Sequence, residues 1–441
     1  MSSKTEVEHG FLEKRFELEE HGTDVKTEVL AGITTFMTMA YILAVNPLIL
    51  ADAGMDVGGV FTATALSAVI ATLVMAFYAN YPFGLAPGMG LNAFFAYTVV
   101  LGMGYSWQFA LTAVLIEGII FIVLSFFKVR EAIFDCIPIN LKHAVSVGIG
   151  LFIALIGLSN VGLVVQGEGV ILDLGNLKSP EVLLALIGLI IMGVLLAKKV
   201  KGALLIGILA TTIIGIPMGV TQLPEAGGII SLPPSLKHVA FQFEWGHIFT
   251  LDMVVVVFTF LFVDIFDTIG TLTGVASKAN MLDEEGKLPR VSEALMSDAV
   301  GTLSGACLGT STVTTFVESA SGVAEGGRTG LTALTTAGMF AISLFFAPLF
   351  IMVPSSATAP ALILVGLFMM SPIKEVDLDD FTEAIPAFLT ILMMPMAYSI
   401  AEGIVFGIVS YVILKTLTGK WKEVSPVTYI LALIFILKEF L

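Results

Sequence analysis

The sequence predicts an all-α membrane protein with fourteen transmembrane helices, arranged as an inverted repeat of seven plus seven spans. Its 441 residues are 57% hydrophobic and 13% charged, with a mean hydropathy of +0.98, whereas about 25% of the residues in a soluble domain are charged. Apolar segments close to the roughly 20 residues that cross a bilayer recur along the whole chain. A long loop, at residues 220–249, separates two groups of seven, and an odd number of spans inverts the second group.

The predicted spans follow one another with short connections. In the first half they lie at about residues 29–50, 60–79, 87–101, 108–127, 142–161, 181–198 and 202–219, and in the second at about 250–272, 294–308, 316–325, 330–348, 356–371, 384–400 and 402–418. Residues 1–26 are polar and are expected to form a cytosolic N-terminal arm with a short interfacial helix near Phe11. Residues 421–441 form a C-terminal segment whose apolar part is too short to span a bilayer untilted.

The distribution of positive charge supports this topology. With a cytoplasmic N-terminus, the outside loops contain only Lys178 and Lys237, and the inside segments contain most of the other Lys and Arg residues, as the positive-inside rule requires. We therefore expect a multi-pass protein of the plasma (inner) membrane, with residues 220–249 outside. The net charge of −15 comes without a basic patch, so no nucleic-acid partner is expected. Cys136 and Cys307 lie in separate apolar regions, which makes a disulfide unexpected.

Two interrupted segments occupy corresponding positions in the two halves. Residues 81–92 are rich in Pro and Gly, and residues 309–319 are rich in Thr, Ser and Val, so neither favours a helix at its start. Such a pair is the best sequence indication of a transporter site. We predict two short antiparallel strands that meet at mid-membrane in spans 3 and 10, each followed by a half-helix with free N–H groups at its start.

Acidic side chains lie where the sequence is otherwise apolar. Asp264 and Asp267 share one helical face of span 8, although a carboxylate at the bilayer centre costs roughly 2.5–3.5 kcal/mol. Glu318 and Asn92 lie near the starts of the two half-helices. An acid and an amide in these places could together bind the edge of a flat heterocycle. Because burial favours the neutral form of a carboxylic acid, proton coupling is favoured over sodium coupling.

Each of these residues also has a purely structural explanation. Asn92 could cap a helix within its Gly/Pro loop, and Glu318 could be neutralised by a neighbour. Asp264 and Asp267 could form hydrogen bonds between helices. Three other acids are weaker candidates, since Glu117 and Asp298 are expected to bridge helices and Glu402 to lie at a membrane face. Thr and Ser residues at 310–315 could contact a ligand, but half of them must face away in a strand. The rings of Phe83, Phe94 and Phe316 could stack on an aromatic ligand, but packing is the simpler expectation for each ring.

Four stretches resemble the azaguanine-type branch of the nucleobase cation symporter-2 superfamily, which contains hypoxanthine/guanine and adenine permeases. They are residues 86–95, 262–272, 308–323 and 386–395, and the similarity runs from about Phe16 to the C-terminus. The resemblance implies a core domain at 27–130 and 250–348 that slides against a gate domain at 131–219 and 349–420. It places the substrate between spans 3, 8 and 10, on Asn92, Asp264 and Glu318, with Asp267 nearby. Relatives are proton symporters that often work as homodimers.

The sequence therefore predicts a permease that imports hypoxanthine and guanine with protons. Asn92, Asp264 and Glu318 are expected to bind the purine, and Asp264, Asp267 and Glu318 to couple its movement to a proton. An adenine-selective permease of the same family is the first alternative. An anion transporter for sulfate or bicarbonate is less favoured, because acids and no Lys or Arg occupy the central segments. An enzyme is not expected, since the five His residues are scattered, and neither are a metal or a cofactor.

Overall fold

The chain is predominantly helical, and its described residues are 10–127, 138–167, 169–223, 228–278, 281 and 288–440 of a computed structural model. The first nine residues of the predicted arm, the predicted core–gate junction at 130–131 and Cys136 lie outside these ranges. The first half comprises α1 (Phe11–Phe16), α2 (Val25–Met39), α3 (Ile42–Asp52), α4 (Val57–Val74), β1 (Leu85–Pro87), α5 (Met89–Ala93), α6 (Trp107–Phe127), α7 (Ile139–Asn160), β2 (Val164–Val165), β3 (Asp173–Leu174), α8 (Pro180–Ala197) and α9 (Ala203–Gly215).

The second half follows the loop that holds a short 3₁₀ turn at Leu236–His238. It comprises α10 (Leu251–Lys278), α11 (Val291–Leu308), β4 (Val313–Thr315), α12 (Ser319–Ala324), α13 (Gly330–Ser343), α14 (Ala347–Ile351), α15 (Ser355–Met369), α16 (Phe381–Met396), α17 (Ile400–Leu417) and α18 (Pro426–Phe440). Two π-helical segments, Met75–Ala79 and Phe94–Gly102, continue α4 and α5, and further 3₁₀ turns lie at Leu344–Phe346, Ser371–Glu375 and Trp421–Glu423.

The helices have the length and composition of membrane spans. Within the described ranges, nine helices, counted with their continuations, are long and apolar enough to cross a bilayer, and four shorter apolar helices accompany them. Many large apolar side chains on their outer faces are exposed, as expected where lipid replaces water. The chain is therefore an integral, multi-pass membrane protein.

The long helices pack as two groups. In one group α11 packs against α4 and α6, while α13 packs against α2 and α4. In the other group α15 and α16 both pack against α7, α16 also packs against α17, and α8 packs against α9 and α15. Each group mixes helices from both halves of the chain, so the two halves interlock instead of forming separate domains.

The N-terminal arm is docked on the first of these groups. Helix α1 forms where the sequence predicts a short helix, but Phe16 at its end is fully buried beside Leu331. Arg15 donates through Nη2 to the carbonyl oxygen of Phe77 at 2.5 Å, and Asn80 donates to the carbonyl oxygen of Phe16 at 3.3 Å. These contacts hold the end of the arm against the protein. The short helix is therefore not purely interfacial, as the sequence had predicted.

Strands β1 and β4 cross inside the first group as an antiparallel pair. Leu85 lies opposite Thr315 and Pro87 opposite Val313, and both strands are fully buried. A strand pair suits this place because each strand satisfies the backbone groups of the other where no water is present. Gly309 ends α11 with φ +97°, and a Cβ there would lie 2.5 Å from the Val239 carbonyl oxygen, so only glycine allows this turn into the strand.

Candidate functional site

The strand pair places Asn92 and Glu318 on opposite sides of the crossing. In an antiparallel pair the chain leaves β1 at the end where it enters β4. Consequently α5, with Asn92, starts beside the approach to β4, whereas Glu318 follows the far end of β4. Three strand residues cover roughly 10 Å, so the two predicted residues flank the crossing and are separated by its length.

Glu318 immediately precedes α12 and is held by a side chain from span 1. Tyr41 donates a hydrogen bond to Glu318 Oε1 at 2.8 Å, and Thr38 donates to the Glu318 backbone oxygen at 3.4 Å. The Tyr41 ring is fully buried and lies 6.5 Å from the ring of Phe316. One carboxylate oxygen is therefore fixed by the phenol.

Asp267 interacts electrostatically with Glu318. It interacts with the charges of Glu318 and Asp298 and is hydrogen-bonded to Thr314 on β4. Tyr41 interacts electrostatically with both Glu318 and Asp267. Acids from spans 8 and 10 thus meet around one phenol at the far end of the strand pair, and Asp298 of span 9 interacts with one of them, Asp267.

Asp264 lies one turn earlier on α10 and is fully buried. Thr268 Oγ1 lies 3.4 Å from Asp264 Oδ1, donates a short hydrogen bond to Asp298 Oδ2, and is 3.1 Å from Thr314 Oγ1. Asp264 is therefore connected to Asp298 and to β4 through Thr268. The contacts with other elements are made by Thr268, which lies on the same helix as Asp264.

The hydroxyl groups around β4 are used to hold other polar side chains. Ser311 donates a short hydrogen bond to Asn92 Oδ1, Thr312 donates to Glu117 Oε2 at 2.6 Å, and Thr315 donates to Asp298 Oδ1 at 2.9 Å. Glu117 and Asp298 connect α6 and α11 to this segment, so they bridge elements as the sequence predicts. The run of Thr and Ser residues is the frame of the site.

The amide of Asn92 is engaged by its own segment. Its Nδ2 lies 3.4 Å from the Pro87 carbonyl oxygen and 3.9 Å from Met89 Sδ, while its Oδ1 accepts from Ser311. The side chain is fully buried. In this conformation Asn92 links the two segments from within α5, and it is not the helix cap that was the structural alternative, because the N-cap of α5 is Gly88 and no side chain caps it.

The start of α12 differs from the sequence-based expectation. The N–H groups of Ser319, Ala320 and Ser321 donate to the carbonyl oxygens three residues earlier, at 2.9–3.1 Å. Glu318 itself has helical angles, φ −60° and ψ −19°, so a tight turn already precedes the helix. The prediction of free N–H groups at this half-helix is wrong because that turn satisfies them.

The aromatic candidates are mostly packing residues. Phe94 is fully buried and meets Phe260 edge-to-face at 4.8 Å, and Phe83 is fully buried and stacks on Tyr81 at 5.3 Å. Phe316 is the candidate ring that lies beside Tyr41. Across the described residues, no group of three or more His, Cys, Asp or Glu side chains has an arrangement that could hold a metal ion.

Sequence reasoning did not identify Tyr41 as a site residue. It lies in an apolar segment, and its partner Glu318 is 277 positions away. The available signal was weak: the helix of span 1 breaks between α2 and α3 at Ala40 and Tyr41, and Pro47 inside α3 contributes to an irregular span. The roles of Thr268 and Asp298 depend on the same kind of distant contact.

Comparisons with known proteins place the chain in a family of permeases. A family described as "Permease family", the xanthine/uracil permeases, matches residues 26–406. A putative permease of Methanocaldococcus jannaschii is 53% identical over 428 residues, which cover 97% of this chain and 98% of the relative. A guanine/hypoxanthine permease of Bacillus subtilis is 46% identical (97% and 100% covered), and an adenine permease of Escherichia coli is 44% identical (97% and 96% covered).

Among solved structures, the transmembrane domain of a cyanobacterial bicarbonate transporter has a similar fold. The TM-score is 0.62, and the match covers 88% of this chain and 97% of that domain. The sequence identity is 18%, so the likeness concerns the fold and carries no information on the ligand.

Proposed function

The chain belongs to the xanthine/uracil permease family of transmembrane nucleobase permeases, and on this basis we propose that it imports hypoxanthine and guanine together with protons. The resemblance found in the four sequence motifs is thereby confirmed. The observation that carries the proposal is the meeting of Glu318 and Asp267 around Tyr41 beside the buried strand pair. Carboxylates accept hydrogen bonds from N–H groups, and purines offer such groups along one edge.

The chemistry of 6-oxopurines suits this site. Their N1–H lies next to the 6-carbonyl group, and Glu318 has a second oxygen besides the one that Tyr41 holds. Phe316 lies at the same place and offers a ring face for a flat heterocycle. Asp264 and Asn92 are the further binding residues of the proposal, and in this conformation each contacts other residues of the frame. The guanine/hypoxanthine permease of Bacillus subtilis, 46% identical to this chain, supports the same substrate class.

Proton coupling is supported by the clustering of acids beside β4. Asp264, Asp267, Asp298 and Glu318 share a region whose hydroxyl donors each carry one proton, as Thr268 does while facing two acids. Neighbouring carboxylates repel each other when both are charged, so one added proton relieves the repulsion. We assign this proton to the group formed by Asp264, Asp267 and Glu318.

The proposed motion moves the site between the two sides of the membrane. The first packing group corresponds to the predicted core (27–130 and 250–348), and the second to the predicted gate (131–219 and 349–420); we call them the core group and the gate group. Their separate packing supports an elevator-like movement of one against the other. The helices within each predicted apolar segment support the fourteen-span inverted repeat. A plasma-membrane location, a cytoplasmic N-terminus and a homodimer belong to the same proposal.

Adenine import is the second candidate, because adenine permeases of Escherichia coli are 43–44% identical to this chain. Adenine lacks N1–H but has a 6-amino group, from which Glu318 would also accept a hydrogen bond. Anion transport rests on the fold alone. The acids of the site and the occupied N–H groups at the start of α12 oppose a negatively charged ligand.

The decisive experiment is uptake of labelled hypoxanthine by cells that lack their own purine permeases, with guanine, adenine and sulfate as competitors. We expect inhibition by guanine and loss of uptake on adding a proton uncoupler. Strong inhibition by adenine and none by guanine would move the assignment to adenine. Glu318→Gln should abolish most uptake while the protein still reaches the membrane. Glu181→Gln, at an exposed position at the start of α8, is the matched control and should transport normally.

A further inference from the structure

The boundary between the core group and the gate group is crossed by two polar side-chain contacts among the described residues. One, the tyrosine tie, joins Tyr97 of the core group to Asn160 of the gate group. The other, the lysine tie, joins Lys201 of the gate group to Glu325 of the core group.

The tyrosine tie is a short chain of hydrogen bonds. Asn160 at the end of α7 donates through Nδ2 to the Tyr97 hydroxyl at 2.9 Å, and that hydroxyl donates to Asp52 Oδ2 at 2.7 Å. The ring of Tyr97 is buried and meets the ring of Tyr398, from the gate group, edge-to-face at 6.2 Å. A single phenol therefore contacts both groups through its oxygen and its ring.

The lysine tie is an ion pair at the other end of the boundary. Lys201 Nζ lies 2.5 Å from Glu325 Oε1, with the side chains 53% and 35% exposed. Gly202 follows directly, and a Cβ there would lie 3.1 Å from the carbonyl oxygen of Met37 in α2. The turn before α9 thus touches the core group at two points.

The two ties lie at opposite ends of the boundary. Asn160 ends α7, the connection at residues 161–179 leads to the start of α8, and Lys201 lies just beyond the far end of α8. Helix α8 has 18 residues, which correspond to about 27 Å. One tie therefore lies near each face of the membrane, on whichever side the N-terminus is found.

Each tie is also connected to the site through a short helical segment. Tyr97 lies on the π-helical continuation of α5, about 7 Å along the axis from Asn92. Glu325 is the residue after α12, about 10 Å from Glu318. Between the ties the boundary is apolar where it is closest, as at Gly90, whose Cβ would lie 2.9 Å from Ile149 Cγ2. A movement of either half-helix would shift its tie.

We propose that the tyrosine tie and the lysine tie hold the core group against the gate group in this conformation, and that both contacts must break in every transport cycle. The proposal rests on the transport function proposed above and adds the residues that control its motion. Apolar surfaces between the ties can slide because dispersion contacts are replaced as they shift. The ties have fixed partners and are broken by the same displacement.

The direct test is to lock each tie by cross-linking. Cys136 and Cys307 are first replaced by Ser, and then Lys201→Cys with Glu325→Cys, or Tyr97→Cys with Asn160→Cys, is introduced. A short bifunctional thiol reagent should reduce hypoxanthine uptake to less than a tenth, and a reductant should restore it. Binding of hypoxanthine to the purified, cross-linked protein should remain measurable. Uptake by cross-linked protein at the rate before linking would overturn the proposal.

Matched pairs within one group are the controls. His143→Cys with Glu375→Cys links two gate residues whose side chains are 3.2 Å apart. Tyr105→Cys with Asp252→Cys links two core residues in hydrogen-bond contact at 2.5 Å. Cross-linking these pairs should leave uptake unchanged, because no boundary is crossed. Equal loss in the controls would assign the effect to the reagent and refute the role of the ties.

A second measurement does not depend on the substrate. Exposed ion pairs contribute little, so Glu325→Gln should shift the balance between conformations about two- to fivefold. Distances between spin labels on α7 and α11 should show this shift. The exchanged pair, Lys201→Glu with Glu325→Lys, should restore the wild-type distances. An unchanged distance distribution in Glu325→Gln would refute the lysine tie. Absence of uptake by the unlinked protein, with the label distances shifted as expected, would instead refute the proposed substrate and leave the ties standing.

Discussion

Tyr41→Phe removes one oxygen atom and thereby tests how the site holds Glu318. The phenol donates to Glu318 Oε1 at 2.8 Å and is fully buried. A hydrogen bond to a charged group contributes about 1.5–3 kcal/mol, and about 1.4 kcal/mol corresponds to a factor of ten. The efficiency of uptake, kcat/KM, should therefore fall roughly tenfold to a hundredfold. The ring remains, so its packing against Phe316 is retained.

The effect should appear mainly in KM. Glu318 is proposed to bind the substrate before any movement, so an incorrectly oriented carboxylate weakens binding in the ground state and in the transition state alike. The assay is initial uptake of labelled hypoxanthine over a range of concentrations, normalised to the amount of protein in the membrane. Repeating it from pH 5 to pH 8 tests the proton-linked step, and the variant should show a displaced pH profile.

Tyr105→Phe is the matched control. Tyr105 also donates to a carboxylate, Asp252 Oδ2 at 2.5 Å, and Asp252 lies on α10 about 18 Å along the helix from Asp264. Losing this hydrogen bond should leave KM and the pH profile unchanged. If Tyr41→Phe and Tyr105→Phe behave alike, or if only the amount of folded Tyr41→Phe protein falls, Tyr41 is a packing residue and the reasoning fails.

Three further predictions concern stability, each measured by thermal unfolding of the purified protein. Glu28→Gln should cost about 3 kcal/mol, since the buried carboxylate accepts three N–H groups and a hydroxyl at the start of α13; an unchanged melting temperature would contradict this. Gly330→Ala should cost about 1–3 kcal/mol, because its Cβ would lie 2.1 Å from a backbone oxygen, while Gly338→Ala, with open space around it, should be neutral. Lys420 lowers the pKa of Asp380 by a hydrogen bond, so Asp380→Asn should be less stable than the wild type at neutral pH. That difference should fade below about pH 4, where the unfolded carboxylate is protonated, and a constant difference from pH 7 to pH 3 would argue against it.

Local chemistry made the interrupted segments predictable. The Pro and Gly residues at 81–92 and the β-branched residues at 309–315 oppose helix formation within their own sequence neighbourhood. The strands form there, and they pair because a bilayer requires their backbone groups to find partners. The bridging roles expected for Glu117 and Asp298 followed from a similar argument, since buried acids need nearby donors.

Contacts between distant parts of the chain were not predictable in the same way. Nothing near Tyr41 in the sequence indicates that its hydroxyl meets Glu318, and nothing near Ser311 indicates that it meets Asn92. The free N–H groups expected at α12 are absent because the turn at Phe316 already satisfies them, a detail of dihedral angles that composition does not determine. For the arm, the helix was predictable from Phe11–Phe16, but its partner Phe77 was not.

Because this fold is similar to that of a bicarbonate transporter, the class of ligand has to be inferred from a few side chains and not from the fold. A crossing of two short strands with half-helices can receive an anion if backbone N–H groups point into the site. Here the three N–H groups at the start of α12 are occupied, and Glu318 and Asp267 lie beside them. The proposed site would therefore favour ligands that offer N–H donors over anions. The choice between these ligand classes therefore depends on the residues at the far end of β4, where Tyr41 holds Glu318 and Thr314 is hydrogen-bonded to Asp267.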